Sequence, residues 1–222
     1  MSKRVADMIG DIPGAEGFVM PVYGWRVPKW VRGEITAIKA RGGSVHPFTW
    51  AAFTCGDSIG QADKDLEKLL GRKLDAVFSV VMPDTYLGLP GFRLDSKEEQ
   101  RKKLEGAEMK CKQIREWLLG PHAVAPEAPV RGPLPFVLTN LVGRIFEKFI
   151  VTDRFWKADK TKCVECGRCA AECPTGNITL GDGPVWKRIG NCSLCFRCYH
   201  VCKSGAIDLR PFTCGKGRLD LV

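Results

Sequence analysis

The sequence predicts two folded regions in one chain: an α/β domain built on a parallel sheet, followed by a small α+β domain rich in cysteine. In the first half, short apolar runs alternate with amphipathic helical segments, which is the order of elements in a parallel sheet covered by helices. Near the carboxyl end, one pattern of four cysteines occurs twice. At 222 residues, the chain is long enough for both regions to bury a core.

Three strands and two intervening helices are predicted in the first half. The apolar runs rich in β-branched and aromatic residues predict strands at 15–22, 48–54 and 74–82. Helical spacing of apolar residues predicts helices at 28–40 and 57–70. Consecutive strands joined by helices predict a parallel sheet with right-handed crossovers.

A longer helix is predicted after the third strand. Ser96, followed three residues later by Glu99, has the pattern of a capping box, and Gly120-Pro121 ends the helix after about Leu119. The stretch from residue 120 to residue 135 contains five prolines, which is typical of a linker. These breaks predict an α/β domain at 1–120, a linker with an amphipathic helix at 121–155, and the cysteine-rich domain at 156–222.

The amphipathic helix after the linker has the sequence FVLTNLVGRIFEKFIV (136–151). Its apolar side chains share one predicted face, made of Leu138, Leu141, Val142, Ile145, Phe149 and Ile150. The segment is too short to span a bilayer and carries charged residues. Docking between the two domains is the favoured role, and binding to a membrane surface is the alternative.

Composition restricts the classes of protein. Hydrophobic residues make up 45% of the chain and charged residues 27%, which is the balance of a folded protein rather than a disordered or fibrous one. The formal net charge is +9, but lysine and arginine are spread through both halves, which favours a generally basic surface over a nucleic-acid groove. Because no signal peptide and no apolar run of 18 residues is visible, we expect a cytoplasmic protein without a membrane span.

The two cysteine runs are CVECGRCAAECP, from Cys163 to Pro174, and CSLCFRCYHVCK, from Cys192 to Lys203. Within each run the four cysteines are separated by two, two and three residues, and the runs are related by a constant offset of 29 residues. The similarity continues beyond the cysteines, where CPTGNITL aligns with CKSGAIDL. An internal repeat of this kind predicts two equivalent sites.

Four thiolates at this spacing are typical of 4Fe-4S clusters, in which three cysteines of a run hold one cluster and the fourth reaches the other. The first predicted ligand set is Cys163, Cys166, Cys169 and Cys202, and the second is Cys192, Cys195, Cys198 and Cys173. Zinc is the main alternative. A zinc ribbon, however, uses two separated C-x-x-C pairs, which would leave the third and fourth cysteines of each run without a role. A disulfide framework is disfavoured because the cytosol keeps thiols reduced.

The remaining cysteines and one histidine are not predicted ligands. Cys55, Cys111 and Cys214 lie outside the repeated spacing, so a structural or incidental role is expected for each. His200 lies inside the second run, and we expect it to be a surface residue rather than a ligand.

With these features in place, the chain resembles the EFR-type ferredoxins, in which a flavodoxin-like domain is fused to a bacterial-type two-cluster ferredoxin. The resemblance rests on the cysteine runs and on PVYGWRVPKW, FTCGDSIG and VVMPDTYLGL in the first half. It implies FMN at the carboxyl ends of the parallel strands. The residues implied to flank the flavin ring are Pro21, Tyr23, Gly24 and Trp25 on one side and Thr54, Cys55, Gly56 and Asp57 on the other.

The start of the chain departs from a flavodoxin-like domain. Such a domain begins with a strand and a loop that holds the FMN phosphate at a helix N-terminus. Here MSKRVADMI resembles the helix that follows this loop, and neither the strand nor the loop precedes it. We therefore expect the run at 15–22 to be a sheet edge. Two explanations stay open: the chain is an N-terminal truncation, or it has lost tight FMN binding.

The sequence thus predicts a low-potential electron-transfer protein that passes electrons through two 4Fe-4S clusters, to or from FMN, and exchanges them with a redox partner protein. No pattern of a substrate-specific catalytic site is evident. Two alternatives remain: a ferredoxin whose first half is a flavin-free docking domain, and a zinc-stabilised structural protein.

Overall fold

The computed structural model describes residues 1–42, 46–122 and 124–219. Residues 43–45, 123 and 220–222 fall inside the predicted domains and linker and lie outside the described residues. The chain forms two compact units. The first contains Met1–Asp84 and Asp95–Glu147, and the second contains Thr85–Leu94 and the chain from Lys148 onward.

The first unit is built on a three-stranded parallel sheet, as predicted. Its strands are β1 (Ala15–Pro21), β2 (Phe48–Cys55) and β3 (Ala76–Val81). They lie in the order β1-β2-β3, so β1 is at an edge and β2 is central. Almost every residue of β2 is buried, as expected of a strand covered on both faces.

Helices cover both faces of this sheet. The helices are α1 (Ser2–Ile9), α2 (Lys29–Ala40), α3 (Ala62–Leu70) and α4 (Lys97–Leu119). On one face, α1 and α4 pack against the sheet through side chains such as Val5, Phe78 and Ile114. On the other face, α2 and α3 pack against it through Ile35, Phe53 and others. The result is a three-layer α/β/α arrangement.

Most helix limits agree with the sequence, and one does not. The capping box of α4 is confirmed, since the Ser96 hydroxyl accepts a hydrogen bond from the Glu99 backbone N–H at 3.2 Å. The helix predicted at 57–70 begins only at Ala62. Residues 57–61 form a loop instead, in which Gly60 has a left-handed φ of 58° that a continuous helix does not allow.

A helical run of mixed geometry closes the first unit. It consists of α5 (Pro135–Val137), a π-helical turn (Leu138–Val142), α6 (Gly143–Ile145) and a second π-helical turn (Phe146–Ile150). Leu141, Val142 and Ile145, which belong to the predicted apolar face, are exposed. The side that contacts the first unit carries Thr139 and Gly143 instead. Docking of the apolar face between the domains stays a prediction.

The proline-rich stretch before this run is attached to the first unit rather than loose. Val130 donates its N–H to the Ser79 hydroxyl at 2.8 Å and accepts a hydrogen bond from the Ile59 N–H at 2.9 Å. Arg131 forms a two-pronged ion pair with the buried carboxylate of Asp63, at 2.7 and 2.8 Å. Residues 130–147 are called the covering segment below.

The second unit is small and contains the cysteine runs. Two antiparallel pairs form it: β4 (Trp156–Ala158) with β7 (Ile207–Leu209), and β5 (Ile178–Gly181) with β6 (Gly183–Trp186). Two short helices, α7 (Arg168–Ala171) and α8 (Arg197–His200), lie within the cysteine runs. This mixed arrangement agrees with the predicted α+β class.

The repeat in the sequence is also a repeat in the backbone. Glu165 and its counterpart Leu194 both have a left-handed φ of 51°. Gly167 and its counterpart Phe196 have φ values of 71° and 59°, and each immediately precedes a short helix. Phe196 adopts a conformation that L-residues rarely take, so its surroundings must compensate for the strain.

Residues 85–94 belong to the second unit although they follow β3 of the first. The carbonyl of Thr85 accepts a hydrogen bond from His200 Nε2 at 2.9 Å. The carbonyls of Leu87 and Phe92 accept hydrogen bonds from Lys216 Nζ at 3.2 and 2.8 Å. The chain therefore passes between the units at three places. None of the described helices is long and apolar enough to cross a membrane.

Candidate metal centres

The first cysteine site is a cavity at the start of the second unit. Its lining includes Cys163, Cys166, Cys169 and, from the other run, Cys202. The left-handed Gly167 turns the chain between the second and third cysteines, and α7 then places Cys169. Apolar residues close the cavity, among them Leu180, Pro184 and Ile207.

The second cysteine site has the same construction. Its lining includes Cys192, Cys195, Cys198 and, from the first run, Cys173. Here Phe196 occupies the left-handed turn and α8 places Cys198. Each cavity therefore contains three cysteines of one run and the last cysteine of the other.

Electrostatic interactions between the thiols agree with this exchange of cysteines. The charge of Cys202 contributes to raising the pKa of Cys169 in the first run, and the charge of Cys173 contributes to raising the pKa of Cys195 in the second. Burial raises the pKa of Cys192 to about 11 and raises the pKa of Cys198 well above its ordinary value. These thiols consequently stay protonated at neutral pH unless a metal displaces the protons.

Backbone N–H groups point at the sulfur atoms. The N–H of Asn177 donates to Cys173 Sγ at 3.3 Å, and the N–H of Leu194 donates to Cys192 Sγ at 3.4 Å. Such hydrogen bonds stabilise negative charge on sulfur. The loops thus favour thiolates once the protons have left.

The two cavities differ in their exposure to solvent. Cys166 is exposed in the first cavity, and the neighbouring Val164 is 69% exposed. In the second cavity Cys198 is buried, and Trp156 and Phe196 form a nearly solvent-free wall. The first set therefore has one exposed cysteine and the second has one buried cysteine, while the other three of each set are partly buried.

Sequence reasoning missed two members of this wall. Trp156 and Trp186 line the second cavity and lie parallel, with ring centroids 6.1 Å apart. Trp156 also contacts Phe196 edge-on at 5.2 Å. The available signal was the position of both tryptophans in short strands close to the cysteine runs.

The donor set fits an iron–sulfur cluster. Thiolates are soft ligands suited to iron and sulfide, and each cavity is lined by four of them. Across the described ranges of the chain, no group of three His, Cys, Asp or Glu side chains converges so as to hold one metal ion.

The residues implied to bind FMN lie at the carboxyl ends of β1 and β2 in the first unit. The residues of the first loop, Pro21, Tyr23, Gly24 and Trp25, are half-buried. In the second loop, Thr54 and Cys55 are buried, Gly56 is half-buried and Asp57 is exposed. The structure brings the two loops together, because the Trp25 indole N–H donates to the Ser58 hydroxyl at 3.1 Å.

The covering segment fills the approach to both loops. Thr139 accepts a hydrogen bond from the Gln61 N–H at 2.8 Å and donates one to the Trp25 carbonyl at 3.0 Å. At Gly24, a Cβ would lie 2.8 Å from the Phe146 ring, and at Gly143 a Cβ would lie 2.3 Å from the Gly24 carbonyl. The described residues thus do not fit a flavin ring between these loops.

An ionic cluster holds the covering segment in place. The buried Arg26 guanidinium lies 3.3 Å from Glu147 of the segment and 3.3 Å from Asp65 of α3, and it donates to the Thr139 carbonyl at 3.2 Å. Arg32 also pairs with Glu147. Buried charges are tolerated where each has partners, as these have.

The other cysteines and His200 are placed as follows. Cys55 and Cys111 are buried and Cys214 is exposed. The expectation that His200 is a surface residue is wrong: its side chain is buried, and the Leu219 N–H donates to its Nδ1 at 3.1 Å while its Nε2 donates to Thr85. Burial lowers the pKa of His200, so the ring is a neutral structural bridge.

A repeated unit with two cavities, each lined by four cysteines, defines the carboxyl-terminal part of the chain as an iron–sulfur domain. Residues 155–203 match the family described as 4Fe-4S dicluster domain. Such a domain implies iron–sulfur electron transfer. No curated protein and no solved structure matches the chain.

Proposed function

We propose that this protein is a low-potential electron carrier that binds one 4Fe-4S cluster in each cysteine cavity. The ligands of the first cluster are Cys163, Cys166, Cys169 and Cys202, and those of the second are Cys192, Cys195, Cys198 and Cys173. The observation that carries the proposal is the exchange of the fourth cysteine between the two cavities. This exchange joins the two sites within one small unit, as a two-step electron path requires.

When bound, each 4Fe-4S cluster supplies the transfer of single electrons. The chain provides the thiolate ligands, and backbone N–H groups such as that of Asn177 stabilise their charge. Apolar side chains limit the access of water to the sites, which influences the potential. Because burial raises the pKa of Cys192 and Cys198, assembly of the second cluster releases protons from these thiols.

The difference in exposure supports a direction for the path. Cys166 in the first cavity is exposed, so this site is the natural point of exchange with a redox partner protein. In the second cavity Cys198 is buried and lies in the same lining as the buried Trp156 and Phe196, so we assign it as the inner site. A partner that docks over the first cavity exchanges electrons there, and the inner site holds a second electron.

For the first unit we propose a docking role without flavin. The supporting observation is the covering segment, which bonds to both loops that the resemblance assigns to FMN. The direct contact between Trp25 and Ser58 points the same way. This unit then serves to present the iron–sulfur unit to its partner.

The test is anaerobic purification followed by measurement of iron, sulfide, zinc and flavin on one sample. We expect about eight irons and eight sulfides per chain, with the visible absorption bleached by a low-potential reductant and restored by an acceptor. Zinc without iron contradicts the carrier proposal. Flavin at one per chain leaves the carrier proposal intact and contradicts the flavin-free docking role.

A further inference from the structure

The second cysteine cavity contains a buried polar group that the protein leaves without a partner. Trp156 is 2% exposed, and within the described part of the chain its indole N–H has no hydrogen-bond acceptor. Buried tryptophans normally satisfy this N–H, because an unsatisfied donor in an apolar setting is destabilising. A phenylalanine would fill the same place in β4 without that penalty.

The environment of this N–H points to sulfur. Trp156 lines the same cavity as the four cysteines of the second site. The N–H makes no hydrogen bond within the described chain, so sulfur of a centre bound by these cysteines is the acceptor that its position offers.

Two other buried indoles make a useful contrast. Trp30 and Trp50 of the first unit also carry N–H groups without a partner in the described chain. Neither of them lines a cysteine cavity. An unsatisfied indole is therefore not by itself a sign of a site. What distinguishes Trp156 is its place in the lining of the second cysteine cavity.

We infer that the indole N–H of Trp156 donates a hydrogen bond to sulfur at the second site and raises the reduction potential of the centre bound there. This inference rests on the proposed function, since it requires a cluster in that cavity. The physical reason is that reduction adds negative charge, which a donor aimed at sulfur stabilises more in the reduced state than in the oxidised state. Trp156 is a positioning and tuning residue and does not ligate metal.

The described lining of the first site contains no tryptophan. Its side-chain donors are Arg168 and Ser204, which lie beside cysteines and apolar residues such as Leu180. Trp156 therefore makes the two centres unequal, although the repeated cysteine spacing is the same. The inner centre receives an indole donor that the described lining of the outer one lacks.

The experiment compares the loaded wild-type protein with Trp156→Phe and with the matched control Trp186→Phe. Trp186 lines the same cavity and lies parallel to Trp156, so the control removes a neighbouring indole N–H. Anaerobic redox titration followed by electron paramagnetic resonance gives the two potentials. Each protein is also prepared with Cys166→Asp, which changes a ligand and hence the resonance signal of the first centre. The signal that stays unchanged is then assigned to the second centre.

We expect Trp156→Phe to lower the potential of the second centre only, by an amount equivalent to about a tenfold change in its reduced-to-oxidised ratio, or ~59 mV for one electron. Trp186→Phe is expected to leave both potentials within a small fraction of that shift. If Trp156→Phe binds both clusters with unchanged reduction potentials, this inference is overturned and the proposed function is not. Absence of iron and sulfide from the wild type overturns the proposed function and this inference together.

A second variant keeps the test decisive where Trp156→Phe fails to load clusters. Replacement of Trp156 by β-(3-benzothienyl)alanine retains the ring size and substitutes sulfur for the N–H group. The same drop in potential supports the inference, and an unchanged potential contradicts it. Exchange of the wild-type protein into heavy water replaces the indole N–H by N–D, which adds a deuterium coupling to the electron paramagnetic resonance signal of the second centre. Both Trp156 variants lack this N–H, so we expect the coupling to be weaker in them.

Discussion

Trp25 donates its indole N–H to the hydroxyl of Ser58 at 3.1 Å, and this bond joins the loop after β1 to the loop after β2. The two loops lie at the carboxyl ends of parallel strands, where open α/β sheets normally bind their ligands. In this protein the crevice is closed by the loops themselves and by the covering segment. Four predictions follow from this arrangement and from the repeated cysteine unit, and each has its own control.

Thr139→Val should weaken the attachment of the covering segment. The change keeps the shape of a side chain that is 1% exposed but removes the hydroxyl that bonds to the Gln61 N–H and the Trp25 carbonyl. We expect the free energy of unfolding of the first unit to fall by about 1–3 kcal/mol, measured by denaturant titration. Thr36→Val, which removes an exposed hydroxyl from α2, is the control. Equal effects of the two changes would argue against a structural role for the segment.

Cys55 gives the stability of the first unit a dependence on alkaline pH. Burial raises its pKa to about 12, assisted by Asp57 and opposed by Lys103, whereas an unfolded thiol ionises near 9. The folded state thus prefers the protonated thiol. Its contribution to stability is complete below pH 9 and is lost as pH rises from 9 toward 12, at up to about 1.4 kcal/mol per pH unit.

The measurement for Cys55 is the free energy of unfolding between pH 8 and pH 11. Cys55→Ala should show a shallower decline than the wild type over this range. Cys214→Ala, which removes an exposed thiol, should retain the wild-type slope. If the free energy of unfolding declines with pH in parallel for all three proteins, Cys55 has the same pKa in the folded and unfolded states.

Gly167→Ala should disturb the first cluster site. Gly167 has a φ of 71°, and an added Cβ would lie 3.2 Å from Leu180 Cδ1. We expect a loss of about 1–2 kcal/mol in stability and faster loss of iron to a chelator. Gly181→Ala is the matched control, because no atom lies within 4 Å of its added Cβ. If both variants keep iron equally well, the left-handed turn does not limit the site.

Cys202→Ala tests the exchange of cysteines between the runs. We expect iron to fall from about eight to about four atoms per chain, with the first site emptied. Combining it with Cys166→Ala should cause no further loss, since both act on the same site. Combining it with Cys195→Ala should remove the remaining cluster. The reverse result for the two combinations would assign Cys202 to the second site.

The sequence predicted those parts of the molecule whose signal is local. The three strands of the first sheet are visible because each is a continuous apolar run between helical segments, and the capping box of α4 lies within four residues. The two cysteine sets were also predictable, because ligand spacing within a run is short and the repeat shows which cysteines correspond.

The parts that the sequence did not predict depend on contacts between distant residues. Thr139 and Trp25 are 114 residues apart, so local composition predicts a plain linker for a proline-rich stretch that is bonded to the first unit. The same bonds hold residues 57–61 as a loop, which explains the late start of α3 at Ala62. His200 was expected at the surface because its partner Thr85 lies 115 residues away.

The assignment of residues 85–94 to the second unit has a consequence for synthesis on the ribosome. Phe92 and Lys216, which are hydrogen-bonded, are 124 residues apart in the chain. At roughly 5–20 residues per second, about 6–25 seconds separate their emergence. During that interval the sheet of the first unit has all three strands, while the cysteine unit still lacks its last strand and the lysine that fastens residues 85–94. Each cysteine site also includes Cys198 or Cys202, so metal insertion into a native site has to wait until that part of the chain has been synthesised.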